Sequence, residues 1–135
     1  MGIPNEGLVE LCGLAGDSGS PTEFTYLATG QGDTAFAITD SALEDEIVNA
    51  DSLGLKRVVA TVTKEDTNIT DDTLQLTTTF TVVGTTTIKE VGVTNHATKG
   101  HANERWLSRT VLTTPKDVVS GSSYTLTYKI IFTRA

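Results

Sequence analysis

From residue 56 onward, apolar side chains recur at every second position. Tyr124, Leu126, Tyr128, Ile130 and Phe132 alternate with Thr125, Thr127, Lys129, Ile131 and Thr133. A period of two puts alternate side chains on opposite faces of an extended strand, so one face can be buried while the other meets water. The same pattern runs through Leu74, Leu76, Thr78, Phe80 and Val82, through Val58, Ala60 and Val62, and through Leu107, Arg109 and Val111. Of the chain's 25 threonines, 20 fall after residue 60, among these runs. Branching at Cβ suits threonine to a pleated, half-buried surface. A glycosylated Thr-rich stalk would lack the interleaved apolar residues and would be rich in proline, of which there are three. Between the runs, Asp66 to Asp72 and His96 to Asn103 read as polar turns. The run Thr86 to Thr94 changes phase around Glu90, which predicts a bulge.

The N-terminal part is patterned differently. Leu8, Leu11, Cys12 and Ala15 sit at helical spacing between Pro4 and Ala15, with Cys12 expected as a small buried hydrophobe. Gly16 to Pro21 reads as a loop, Glu23 to Thr29 as a strand, and Gly30-Gln31-Gly32-Asp33 as a turn. A second short helix is expected from Asp40 or Ser41 to Asn49, with Ser41 and Glu44 spaced as a capping box. The expectation is an all-β fold: an antiparallel β-sandwich, jelly-roll-like, with one or two short N-terminal helices. It forms a single domain over residues 1–135, in which residues 1–22 are a helical or loop arm.

With 135 residues, the chain can bury a core without metals or disulfides. The lone Cys12 excludes an intramolecular disulfide and a multi-thiolate zinc site. A net charge of −7 argues against a nucleic-acid partner, which needs clustered Lys and Arg. No apolar run approaches the about 20 residues of a membrane span, so no membrane is expected as a partner. The start lacks a secretory pattern, and Glu6 breaks the myristoylation pattern.

Several strings invite chemistry. Gly16-Asp17-Ser18-Gly19-Ser20-Pro21 is one residue from the segment around the nucleophile of chymotrypsin-like proteases. No histidine precedes it, so Ser18 is read as a turn residue. His96 and His101, with Glu104, have the residue types of a zinc site, against which stands the reading of two solvated histidines. Asp66 to Asp72 concentrates oxygen ligands for calcium but lacks the glycine and terminal Glu of an EF-hand loop. Asn68-Ile69-Thr70 matches a glycosylation sequon, taken as chance without a secretory signal. Gly30-Gln31-Gly32 lacks the third glycine of a dinucleotide fingerprint and the Lys-Ser/Thr of a P-loop, and is assigned to turn geometry. Trp106 reads as core or subunit contact, or as a stacking platform for a sugar. Arg109, in phase with Leu107 and Val111, should point inward and need a carboxylate, with Glu90 the candidate. No catalytic, cofactor or metal residue is expected.

A set of segments taken together resembles one family. Phe24-Thr25-Tyr26-Leu27-Ala28-Thr29-Gly30-Gln31-Gly32-Asp33-Thr34-Ala35, followed by Thr39-Asp40-Ser41-Ala42-Leu43-Glu44-Asp45-Glu46-Ile47, is similar to the opening of small β-sandwich virion proteins of tailed bacterial and archaeal viruses. Arg57 to Val62, Asp72 to Phe80, Ile88 to Asn95, Leu107 to Leu112 and Val119 to Phe132 continue it. Gly-Gln-Gly-Asp-Thr stands where the family has Gly-Thr-Gly-Thr-Thr, and Gly-Ser-Ser where it has Gly-Asp-Ser. The resemblance implies a structural part of the virion, without saying which one. The expectation is a non-enzymatic protein assembled in the host cytoplasm, foremost a capsid decoration protein. Tail, baseplate or fibre placement is the alternative within that class, and a carbohydrate-binding sandwich with Trp106 exposed is the alternative outside it. The implied partners are the major capsid protein or other virion proteins and further copies of the chain, a trimer among the arrangements. Exposed apolar residues such as Val59, Val83, Ile131 and Trp106 are expected to face such neighbours.

Overall fold

The computed structural model describes residues 2–16 and 22–133. One helix, α1 (Asn5–Gly16), precedes seven strands: β1 (Tyr26–Gly30), β2 (Val58–Val59), β3 (Thr61–Glu65), β4 (Thr73–Thr81), β5 (Thr86–Thr94), β6 (Trp106–Val118) and β7 (Ser123–Ile131). They form two antiparallel sheets, a four-stranded one in the order β2-β1-β5-β6 and a three-stranded one in the order β3-β4-β7. The chain is an all-β sandwich. The run that starts at Lys56 divides at Ala60, so Val58-Val59 closes one sheet and Thr61–Glu65 opens the other.

Opposed residues of an antiparallel pair share a face. Leu74, Leu76, Thr78 and Phe80 on β4 therefore lie beside Ile130, Tyr128, Leu126 and Tyr124 on β7, which is the alternation read from the sequence. This face meets Leu27, Val91, Val93 and Leu107 of the four-stranded sheet in one apolar core. A polar tie crosses it: the Tyr128 hydroxyl lies 2.7 Å from both the Ser108 and Thr110 hydroxyls. The other face of the three-stranded sheet carries the threonines, including the pairs Thr77–Thr127 and Thr79–Thr125.

The bulge expected near Glu90 is present and lies on the strand opposite. Glu90 pairs with Val111 and Ile88 with Lys116, so Leu112, Thr113, Thr114 and Pro115 are opposed by Lys89 alone. Pro115 has no N–H to give a ladder, which fits it to this irregular stretch.

Helix α1 forms where expected, but its buried stripe is shifted. Leu11 and Leu14 pack on the core, whereas Leu8 is exposed and Cys12 is exposed rather than buried. The reason is Gly7, the buried residue of the helix. A Cβ there would stand 2.4 Å from the Trp106 carbonyl oxygen, so the bare backbone sets how closely and at what rotation the helix meets β6. Glu6 accepts the Trp106 N–H at 2.9 Å and holds the same joint. Burial raises the Glu6 carboxyl above its ordinary range, against the lowering effect of that hydrogen bond and of Arg105.

No second helix forms at residues 41–49; turns and an isolated bridge from Glu46 to Gly30 occupy that stretch. Its backbone donors are committed elsewhere. The Ile47 N–H donates to the Thr29 oxygen at 2.8 Å, and the Glu44 and Asp45 N–H groups donate to the Glu90 carboxylate. Tertiary bonds outweigh the capping-box signal here.

Candidate functional site

The connection from Gln31 to Arg57 covers the outer face of the four-stranded sheet, and two buried arginines sit beneath it. In the first cluster, β5 points Glu90 outward from the core into this layer, where it is fully buried. Its Oε1 accepts the Asp45 N–H at 2.8 Å and the Gly32 N–H at 3.3 Å. Its Oε2 accepts the Glu44 N–H at 3.1 Å and Arg109 Nε at 2.8 Å. Arg109 continues to Asp40 at 2.9 Å and to the Thr34 carbonyl at 3.0 Å. Burial alone would lower the Arg109 pKa, but the hydrogen bonds of Glu90 and Asp40 outweigh it and hold the guanidinium charged. The Arg109–Glu90 pair is the one expected, but the phase that suggested it does not hold. The register shift between Val93 and Thr94 turns Leu107 into the core and leaves Arg109, opposite Gly92, on the covered outer face.

The glycines of Gly30-Gln31-Gly32 have their explanation in the same carboxylate. A Cβ on Gly30 would lie 2.5 Å from Glu90 Oε1, and one on Gly32 would lie 2.8 Å from it. The turn is a cradle for an anion, as backbone N–H groups in tight turns often are. The anion is the protein's own.

No periodicity in the sequence marks the second cluster. Arg57 is buried and donates to both oxygens of Glu46, at 2.7 and 2.6 Å, and to the His96 carbonyl at 2.9 Å. Glu104 Oε1 forms an ion pair with it at 2.6 Å. Desolvation would lower the Arg57 pKa; the hydrogen bonds to Glu46 and Glu104 raise it. The guanidinium lies over the Trp106 ring, 5.1 Å from its centroid, a cation–π contact. With Leu43 and Ala28 beneath this layer, Trp106 is 1% exposed. Trp106 is therefore core, one of the readings its place on a strand beside Leu107 suggested. It does not face a neighbour, and the exposed platform on which the sugar-binding alternative depended is absent. Val59, Val83 and Ile131 are exposed, as expected.

The remaining sequence candidates resolve individually. Ser18 lies outside the described residues. His96 and His101 stack at 3.7 Å between ring centroids. Each Nδ1 accepts a backbone N–H, from Thr98 at 3.0 Å and Asn103 at 3.2 Å. That bonding pattern assigns the ring proton to Nε2, so neither imidazole turns a lone pair outward to a cation. In the Asp66–Asp72 turn, Asp72 accepts the N–H groups of Thr67, Asn68 and Ile69 and the Thr73 hydroxyl. Desolvation opposes ionisation there, but those hydrogen bonds win and bring the carboxyl down to about 2. Its oxygens close a turn and leave little for calcium. Among the described residues, no group of three or more His, Cys, Asp or Glu is placed to hold a metal. No helix among them is long and apolar enough to cross a membrane.

Both clusters therefore act as joints. Glu90 and Glu46 are filled by donors from the fold, and Glu104 Oε1 is paired with Arg57. A recess of about 200 Å³ borders the second cluster at Glu46, Arg57 and Lys99. Another, of about 490 Å³ on the three-stranded sheet, is lined by Thr61, Thr63, Thr77, Thr79, Glu65 and Gln75 among others. Compared with protein-family models, curated proteins and solved structures, the chain matches none.

Proposed function

We propose that this chain is a non-enzymatic structural protein of a tailed-virus particle, a decoration protein that binds the major capsid protein and stabilises the shell. One observation carries the reading. Four separated segments that bear the family resemblance meet at a single buried carboxylate. Gly32 comes from the first, Glu44 and Asp45 from the second, Glu90 from the third and Arg109 from the fourth. The resemblance thus lies in the residues that lock the fold, the kind of constraint a shared structural role imposes. The acidic chain and its scattered exposed apolar residues, Val9 on α1 and Val59 and Val83 at sheet margins among them, suit a protein held among neighbours.

Copy number tests the reading. Quantitative mass spectrometry of purified particles should find this chain at a simple ratio to the major capsid protein. A handful of copies per particle would instead assign it to the tail, baseplate or fibre. Absence from particles would sink the virion role altogether.

A further inference from the structure

Among the described residues, no further strand pairs with the outer edges of the three-stranded sheet, β3 and β7. By contrast, β2 is two residues long, and the edge of β6 is engaged by Gly2, which exchanges hydrogen bonds with Arg109 at 3.0 and 3.1 Å. The direction of the unpaired groups follows from the ladder. Val82 N–H donates to the Ser122 oxygen and Phe132 N–H to the Asp72 oxygen, with unbroken register between. Even-numbered residues of β4 and β7 therefore face each other, and Thr125, Thr127 and Lys129 turn their N–H and C=O groups out to the free edge. By the same alternation, Thr61, Thr63 and Glu65 bond to β4, while Val62 and Lys64 turn outward from β3.

We infer that a second copy of this chain adds its β3 to β7 in parallel, head to tail. Thr125, Thr127 and Lys129 then lie opposite Thr61, Thr63 and Glu65 of the next copy. Both strands run antiparallel to β4, so copies placed side by side in one orientation present them in the same direction. In this register the outward groups of Thr127 meet Val62 and Lys64, which is the parity a parallel ladder needs. Charge selects the register. Glu65 and Lys129 are the charged residues on the outer face of the three-stranded sheet, one on each edge strand, and neither has a salt-bridge partner among the described residues. A lone lysine ordinarily blunts a free edge; here its counter-ion waits on the opposite edge of the same sheet. Pairing β7 with β7 of another copy would set Lys129 against neutral Thr125 and leave Glu65 unused. Exposed Val62 beside one edge and exposed Ile131 beside the other add apolar area. A contact of this kind uses two different surfaces, so repetition builds a ring or an open filament rather than a two-fold dimer. The inference goes beyond the proposed role: it supplies an interface between copies of the chain.

Sedimentation equilibrium of the purified full chain across micromolar concentrations tests it, independently of whether particles contain the protein. The wild type should associate. Lys129→Glu and Glu65→Lys should each weaken association roughly tenfold or more, and the double variant should recover it, because like charges at an interface are strongly disfavoured. Circular dichroism checks that each variant is folded. In a Cys12→Ser background, Thr63→Cys mixed with Thr127→Cys should form a disulfide between copies. A monomer at every concentration overturns the inference. So does a disulfide formed by the Thr127→Cys variant alone, which is the signature of β7 pairing with β7.

Discussion

Replacing Glu90 by glutamine probes the joint at the centre of the fold with almost no change of shape. Each carboxylate oxygen accepts two donors: Asp45 and Gly32 N–H on Oε1, Glu44 N–H and Arg109 Nε on Oε2. An amide keeps one accepting oxygen and turns an NH2 group toward the other two donors. Two buried donors lose their acceptor, at about 1–3 kcal/mol each. Arg109 retains Asp40 and the Thr34 carbonyl, which limits the damage. The sum is about 3–5 kcal/mol, the range for removing one member of a buried ion pair. Against a total stability of about 5–15 kcal/mol that is a large fraction. Urea unfolding followed by circular dichroism should show a lower midpoint with an unchanged slope, and Tm should fall by roughly 10–20 °C. Hydrogen exchange at the Gly32, Glu44 and Asp45 amides should accelerate beyond the global change. A loss below about 1 kcal/mol, the net worth of a single ordinary hydrogen bond, would refute the reasoning.

Three further outcomes follow from the same geometry. Gly32→Ala places a Cβ 2.5 Å from Glu44 Cβ and 2.8 Å from Glu90 Oε1; it should cost about 1–3 kcal/mol by urea titration. Gly16→Ala, with nothing within 4 Å of the new Cβ, should change stability by less than about 0.5 kcal/mol. The Asp72 carboxyl is lowered from 3.8 to about 2 in the folded chain, so its contribution is complete above the unfolded value and disappears as pH falls from about 4 through about 2. Asp72→Asn should flatten the pH dependence of stability in that window. Tyr128→Phe removes the hydroxyl shared by Ser108 and Thr110 and should cost about 1 kcal/mol.

The strands were legible because one face of each is apolar and the other is threonine, and because short polar turns separate them. The Arg109–Glu90 pair was legible because a charge within an apolar strand has to find a carboxylate and Glu90 marked the nearest break in phase. The face was not, because the register shift between Val93 and Thr94 sets Leu107 and Arg109 on opposite sides of the sheet. Arg57, Glu46 and Glu104 carry no such signal. They come from a turn-rich connection and a loop, where no period places side chains on a common face, and only the packing over Trp106 brings them together. Residues 41–49 misled because capping is a local signal of about 1 kcal/mol, whereas their N–H groups found a carboxylate 45 residues or more away in sequence. Cys12 and Leu8 were misplaced because a helical stripe can be drawn through either of two adjacent rows. Gly7, which a propensity argument counts only as a weakness, decides between them.

Shell stability tests the central proposal most directly. Particles assembled without this chain should form but lose their contents at lower temperature than complete ones, and adding the purified protein back should restore the difference. Particles that are equally heat-resistant with and without the chain, and that bind none of it when it is returned, would contradict the account.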